Sequence, residues 1–486
     1  MRFKAVSDAI GTILFLFGFT LMAPLLTGLV YGEDPGELLV AFGSPAVLGW
    51  ALALALKYYG RAASDSIRDR EALFVVSVLW VIMAFLGAFP YYLLGSLTDP
   101  VDAFFESMSG FTSTGATVFT TLEGVPHSIL LWRSFTQWLG GMGVIVLSVA
   151  VLTRLLKGRS GILLMSGELP GVSMTRLKPR IQQTALLLWE IYVAFTVIEV
   201  VFLYLAGMNL FDAVCHSFTT LPGGGFGTHD GNIEYFNNPA IEIVLMLFMF
   251  LGSVNFVLHY RFIKGRFSDP LNDPEFRVYL TVIGMAVTLV VADLTLQGFY
   301  SLPVATRHGA FQVMSIVTTT GYNSVDFGQW PALSQMVLMI LMFTGAMSGS
   351  TSGALKIARI FIIIKGARRV VHRIAHPRSV EHLRIGGHIV DDGLVGKVGA
   401  YLFIYIMLLV MSTLVLAVLG ADVVTGMTAC LTCIGNVGPG LGSVGPALNF
   451  SVLHPLSKLT LCGIMWMGRL EIMACLILFF PATYKK

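Results

Sequence analysis

The chain has 486 residues, of which 55% are hydrophobic and only 12% charged, with a formal net charge of +3. Soluble domains carry roughly 25% charged residues, so this composition excludes a soluble globular protein and a nucleic-acid binder and leaves an integral membrane protein. The distribution of that charge carries more information than its sum.

In chain order, apolar windows predict helices near 9–30, 40–58, 72–95, 130–153, 182–206, 240–262, 277–298, 334–364, 396–420 and 458–480. All but the longer 334–364 are close to the ~20 residues that cross a bilayer. The first follows only MRFK, is too long for a signal-peptide core and lacks a small-x-small cleavage pattern, so it reads as a retained span. Ten spans leave both termini on one side. Connections on that side hold Lys57, Arg61, Arg68, Arg70, Arg154, Lys157, Arg159, Arg176, Lys178, Arg180, Arg261, Lys264, Arg266 and Arg277. Arg2, Lys4, the run from Lys356 to Lys397 and the pair Lys485 and Lys486 lie there too, while Arg133, Arg307, Lys458 and Arg469 fall elsewhere. The positive-inside rule then puts both termini in the cytoplasm. Segments 96–129, 207–239, 299–333 and 421–457 face outward.

Those outward segments resemble one another. In "DAFFESMSGFTSTG" Asp102 stands thirteen positions before Gly115, and in "DAVCHSFTTLPGG" Asp212 stands twelve before Gly224. The third segment gives "HGAFQVMSIVTTTG", ending at Gly321, and the fourth "TGMTACLTCIGNVG", ending at Gly438. Each reads as span, short apolar half-helix, Gly/Thr-rich stretch, span. Non-helical backbone at membrane depth leaves peptide groups unpaired, at several kcal/mol each. It survives where protein buries it or where it lines a wet cavity. Four such stretches around one axis would offer a ring of carbonyl oxygens able to replace the hydration shell of a monovalent cation. Glycine suits the task because successive inward carbonyls require φ > 0 and a close approach of chains. The half-helices would turn their C-terminal dipole ends toward the axis. With no ring of acidic side chains in sight, the pattern points to potassium-like ions.

At these residues the chain resembles the Trk/Ktr/HKT superfamily of potassium transporters, most nearly its bacterial TrkH/TrkG branch. The landmarks are "FTSTGATVF" (111–119), "WRSFTQWLGGMGVIVL" (132–147), "TTTGYNS" (318–324), "GAMSGSTSGALK" (345–356), "GNVGPG" (435–440) and "MGRLEI" (467–472). The resemblance implies an all-α polytopic fold with two N-terminal helices (1–70) and four pore repeats (71–157, 158–265, 266–385 and 386–486). It also implies K+ (and with it Rb+) as the transported ion, a bacterial inner membrane location, a homodimer, and a cytosolic nucleotide-binding partner of TrkA type. No cofactor is implied. Carried onto this chain, the filter backbone comprises Thr114 and Gly115, Gly223 and Gly224, Thr320 and Gly321, and Val437 and Gly438. In the second segment, "TTLPGGGFGTHD" departs from the threonine-glycine pattern. Gly224 is preferred there because Gly225 and Phe226 then match the family, with Gly225 as the alternative. All four key positions are glycine, with no serine in the first, which in related plant transporters accompanies potassium over sodium preference.

"TGAMSGSTSGA" (344–354) interrupts the span 334–364. Small-residue helix packing is the plain reading. Gly345, Gly349 and Gly353 with three serines and two threonines exceed what packing needs, and each glycine destabilises a helix by about 1 kcal/mol relative to alanine. A broken helix with a loop beneath the filter is expected, and the resemblance treats that stretch, closed by Lys356, as an intramembrane gate. Arg469 sits mid-span in "MWMGRLEIM", where an unpaired arginine costs at least ~2.5 kcal/mol. It either pairs with an acid (Glu471, Glu190, Glu199 or Asp293) or, as in relatives, stands in the permeation path.

Other features carry less. Cys430-x-x-Cys433 lacks a second ligand pair and reads as packing, like Cys215, Cys462 and Cys475. Asp102, Glu106 and Asp212 either concentrate cations at the outer mouth or cap helices, and His216 reads as a packed core residue. "GSTSG" (349–353) is not G-x-S-x-G, and "GLVGKV" (393–398) lacks P-loop spacing. The basic stretch 365–384 docks a partner, touches anionic lipid or simply anchors the inside face. The expectation is a potassium-translocating subunit and not an enzyme. A potassium-binding subunit of a P-type ATPase is the near alternative, and an intramembrane enzyme the distant one.

Overall fold

Apolar runs free of interior breakers become helices, and prolines collect at their first turns, where the missing N–H is of no consequence. The computed structural model describes residues 1–61, 69–155, 177–377, 384–385, 388–389, 392–479 and 481. Among them the helices are α1 (Phe3–Thr20), α2 (Met22–Val30), α3 (Pro35–Leu38), α4 (Ser44–Gly60), α5 (Asp69–Leu93), α6 (Pro100–Phe111) and α7 (His127–Leu155). The series continues with α8 (Leu177–Leu205), α9 (Leu210–Thr220), α10 (Pro239–Ser253), α11 (Phe256–Ile263), α12 (Asp269–Asn272), α13 (Pro274–Leu296) and α14 (Leu302–Val317). It closes with α15 (Ala332–Thr344), α16 (Ile357–Ala375), α17 (Asp392–Val418), α18 (Val423–Gly435), α19 (Pro455–Arg469) and α20 (Ile472–Leu476). The chain is an all-α membrane protein, with one two-residue antiparallel ladder among the described residues, Arg384–Ile385 against His388–Ile389.

Each expected apolar window falls on helix, but several of the crossings are not single rods. The windows 240–262 and 458–480 were expected to be continuous. Instead α10 and α11 meet at 100°, and α19 and the helical stretch 472–479 meet at 112°. The chemistry at each corner accounts for the break. Asn255 turns its side chain to accept from the Val257 N–H and starts a new helix. Glu471 adopts φ 63°, which a right-handed helix does not allow. Among the described residues, six helices remain long and apolar enough to cross a bilayer alone, or up to eight if each bent pair counts as one.

The four short helices α6, α9, α14 and α18 start from polar cap residues. Asp99, Asn209 and Asp422 accept from first-turn N–H groups, while Ser301 occupies the corresponding place without a side-chain bond. All four are largely buried along their length, because the longer helices surround them. The expected boundary at 157/158, the residues Arg68, Lys157, Arg159, Arg176, Lys485 and Lys486, and positions 378–383 of the basic stretch lie outside the described residues.

Candidate functional site

Each short helix ends in the same hydrogen-bonded turn. Ser113 N–H donates to the Gly110 carbonyl and Thr114 N–H to Ser109, at 2.9 and 2.8 Å. Gly223 and Gly224 donate to Thr220 and Thr219, Thr319 and Thr320 to Ile316 and Ser315, and Asn436 and Val437 to Cys433 and Thr432. The residues that match across the four segments are therefore Ser113, Gly223, Thr319 and Asn436. All four lie at positive φ: 47°, 70°, 60° and 52°. Two residues further on, positive φ returns at Gly115 (80°), Gly225 (71°), Gly321 (81°) and Gly438 (106°).

This corrects the second segment. The residue matching Gly115, Gly321 and Gly438 is Gly225, and Gly224 matches Thr114, Thr320 and Val437. The spacing is then thirteen residues in every segment: Asp102 to Gly115, Asp212 to Gly225, His308 to Gly321 and Thr425 to Gly438.

The four glycines close a ring. A Cβ built on Gly115 would collide with the Gly224 carbonyl oxygen, one on Gly225 with that of Thr320, and one on Gly321 with that of Val437. One on Gly438 would stand 2.9 Å from the carbonyl oxygen of Thr114. Going once round, each glycine thus lies against the carbonyl that precedes the next glycine. Side chains brace neighbouring segments. Asn436 Nδ2 donates to Thr114 Oγ1 at 2.9 Å, and Tyr322 Oη meets Thr219 Oγ1 and donates to the His216 carbonyl. His216 is indeed a packed core residue, its Nδ1 2.8 Å from the Asp212 carbonyl.

A further brace comes from Arg133 of α7. Arg133 is fully buried, with Nε on Glu106 Oε1 at 2.8 Å, Nη1 on the Gly227 carbonyl at 3.0 Å and Nη2 on Thr117 Oγ1 at 3.2 Å. Its guanidinium lies between the rings of Phe119 and Phe226. Removing one member of a buried pair destabilises by about 3–5 kcal/mol. Arg133→Met is therefore expected to lower the thermal unfolding midpoint in detergent sharply, and adding Glu106→Gln to recover part of the loss. Asp102 and Asp212 are likewise committed within the protein. Lys458 pairs with Asp102, while Asp212 accepts from Thr228 at 2.7 Å and lies 2.9 Å from His229 Nε2.

Beneath the ring, at the C-terminal ends of the short helices, lies the break between α15 and α16. It carries positive φ at Gly345, Gly349, Ala354 and Lys356. Thr351 Oγ1 donates to the carbonyls of Leu221 and Gly252, Gly353 N–H to Thr319 Oγ1 and Ala354 N–H to the Gly435 carbonyl. Lys356 Nζ turns back onto the Ser352 carbonyl at 2.7 Å. Arg469 completes the contact, donating to the Thr351 carbonyl at 2.6 Å, to Ser113 Oγ at 3.0 Å and to the Pro222 carbonyl at 3.3 Å. None of the four acids considered for it is its partner. Glu471 pairs with Arg359, Asp293 accepts from Ser334 and Gln297, Glu190 is exposed, and both Glu199 oxygens lack a hydrogen-bond partner. The cysteines are free and buried, and no metal-ligating cluster occurs among the described residues.

Similarity to known proteins agrees with this architecture. A family model described as "TrkH: Cation transport protein" matches residues 47–484. The Trk system potassium uptake protein TrkH of Escherichia coli K12 is 35% identical over 490 residues, covering 100% of both chains. TrkG of the same organism is 33% identical over 98% of this chain and 97% of its own. The crystal structure of the potassium transporter TrkH from Vibrio parahaemolyticus superposes with a TM-score of 0.90 at 33% identity, covering 100% of both chains. The chain belongs to the TrkH family of cation transport proteins.

Proposed function

We propose that this protein takes up potassium through a pore whose selectivity filter is the four-segment ring. One observation carries the reading: the carbonyls of Thr114, Gly224, Thr320 and Val437 alternate with Gly115, Gly225, Gly321 and Gly438 around one closed circuit. Carbonyl oxygens gathered in that way can replace the water around a monovalent cation. The C-terminal ends of α6, α9, α14 and α18 meet there, each worth roughly −0.5 charge, and favour a cation over an anion. Below, the 345–356 loop and Arg469 form the gate, with Gly345, Gly349 and Gly353 supplying its turns.

The proposal extends to the whole chain. Residues 1–70 form an N-terminal pair, and repeats 71–157, 158–265, 266–385 and 386–486 each give one quarter of the pore. Basic connections hold both termini in the cytoplasm, and the membrane is a bacterial inner membrane. The motif resemblance extends the reading to a homodimer under a TrkA-type nucleotide-binding partner. The test is transport by the purified protein in liposomes under an imposed potassium gradient. Rubidium uptake without ATP, competed by K+ more strongly than by Na+, is the expected outcome. No uptake with or without the partner would overturn the reading.

A further inference from the structure

Segment 2 lacks what holds the other three. Thr114 Oγ1 is bonded by Thr112 Oγ1 at 2.7 Å and by Asn436, and Thr320 Oγ1 by Thr318 Oγ1 at 2.8 Å. Val437 is buried in an apolar cluster with Leu341 and Met342. The matching residue in segment 2, Gly224, has no side chain and is flanked by two further glycines, the most conformationally free residue type. A ring carbonyl left on such a stretch would have nothing to fix its direction.

Gln137 of α7 fills that place. Its Nε2 donates to the Gly224 carbonyl at 2.9 Å, and its Oε1 accepts from the Phe226 N–H at 3.3 Å. The two bonds fix the orientation of the amide and straddle Gly225. Its own carbonyl accepts from Ser113 Oγ at 3.1 Å, which ties segment 1 to the same residue. A Cβ on Gly224 would run into the Gln137 amide, so the amide occupies the space where the other segments carry a side chain. Gln137 is also the odd member of its set. Gly140, Gly252 and Gly468 each press against the short-helix carbonyl two residues before the ring turn, those of Phe111, Leu221 and Ile434. Three residues before Gly252 and Gly468 stand Met249 and Met465, where α7 has Gln137.

We infer that Gln137 is a positioning residue for ion selectivity: its amide stands in for the side chain missing at Gly224 and fixes the second carbonyl of the ring. This rests on the ring being the filter. Without the amide, the Gly223 to Gly225 backbone gains freedom, and its carbonyl adapts to Na+ as readily as to K+.

The experiment compares K+ and Na+ flux ratios in proteoliposomes for the full chain, with the unfolding midpoint in detergent as a control. Gln137→Met, which supplies the residue of the matching helices, is expected to lower the ratio about tenfold, the equivalent of one hydrogen bond of ~1.4 kcal/mol. Gly224→Thr alone collides with Gln137 and is expected to lower it as well. Gln137→Ala combined with Gly224→Thr removes the collision and gives segment 2 the threonine that stands at Thr114 and Thr320, and is expected to return the ratio to within about threefold of the parent, the coupling expected of groups in contact. An unchanged ratio in Gln137→Met, or losses that simply add in the double variant, would overturn the inference. Gly321→Ala separates the two levels. If it leaves both the uptake and the ratio unchanged, the ring itself is not the filter.

Discussion

Replacing Arg469 with alanine is expected to raise potassium flux by roughly thirtyfold. The guanidinium lies under the ring, bonded to the Thr351 carbonyl, Ser113 Oγ and the Pro222 carbonyl, with no carboxylate among these partners. Its charge is therefore not cancelled locally. At an effective dielectric of ~20, a unit charge ~8 Å from a passing cation raises the cation's energy by about 2 kcal/mol, or about thirtyfold in rate. Arg469→Gln, which removes the charge and retains some donors, is expected to show most of the gain. Deleting residues 346–352 removes the Thr351 carbonyl and is expected to raise flux as well. Because the loop and the arginine share that bond, their effects should fall short of adding. Rubidium uptake measured on the three variants and on the deletion combined with Arg469→Ala decides the matter, and an equal or slower rate in Arg469→Ala would make the residue a structural strut.

Gly225→Ala is expected to lower uptake by at least about thirtyfold, whereas Gly224→Ala retains at least a tenth of it. Gly225 lies at φ 71°, and its Cβ would meet the Thr320 carbonyl, which belongs to the backbone and cannot swing aside. A left-handed non-glycine residue costs ~1–2 kcal/mol, and overpacking adds ~1–3 kcal/mol, together ~2–5 kcal/mol or a factor of about thirty to several thousand. At Gly224 the obstacle is the end of the Gln137 side chain, which can yield. Uptake assayed at matched expression tests the register. Equal loss at both positions would contradict the assignment of Gly225 to the ring.

Hydropathy revealed the crossings but not their corners. Apolar content averages through the turns at 253–256 and 469–472, because Val254 and Leu470 are as apolar as the helices around them. The local marks there are Asn255, a capping residue, and Glu471, an isolated charge, and a window of twenty residues dilutes both. The register of segment 2 was within reach of the sequence. Holding the thirteen-residue interval constant from Asp212 leads to Gly225, whereas matching Gly225 and Phe226 to a motif led to Gly224. Arg469 stood out because a charge in an apolar span must be accounted for. Gln137 and Arg133 did not, since their partners Gly224 and Gly227 lie 87 and 94 positions away, and no local pattern reports a contact of that range.

The four-segment circuit comes from one polypeptide, and this changes how the pore responds to mutation. In a homotetramer, one altered codon changes every corner of the ring at once. Here it changes a single corner, so the ring can be modified in steps of one quarter. A series substituting Thr114 and Thr320 singly and together would sample intermediate chemistries that a symmetric assembly never displays. The ring already holds such unequal corners, with Gln137 bonded to the Gly224 carbonyl on one side and Met249 and Met465 at the matching places of two other helices.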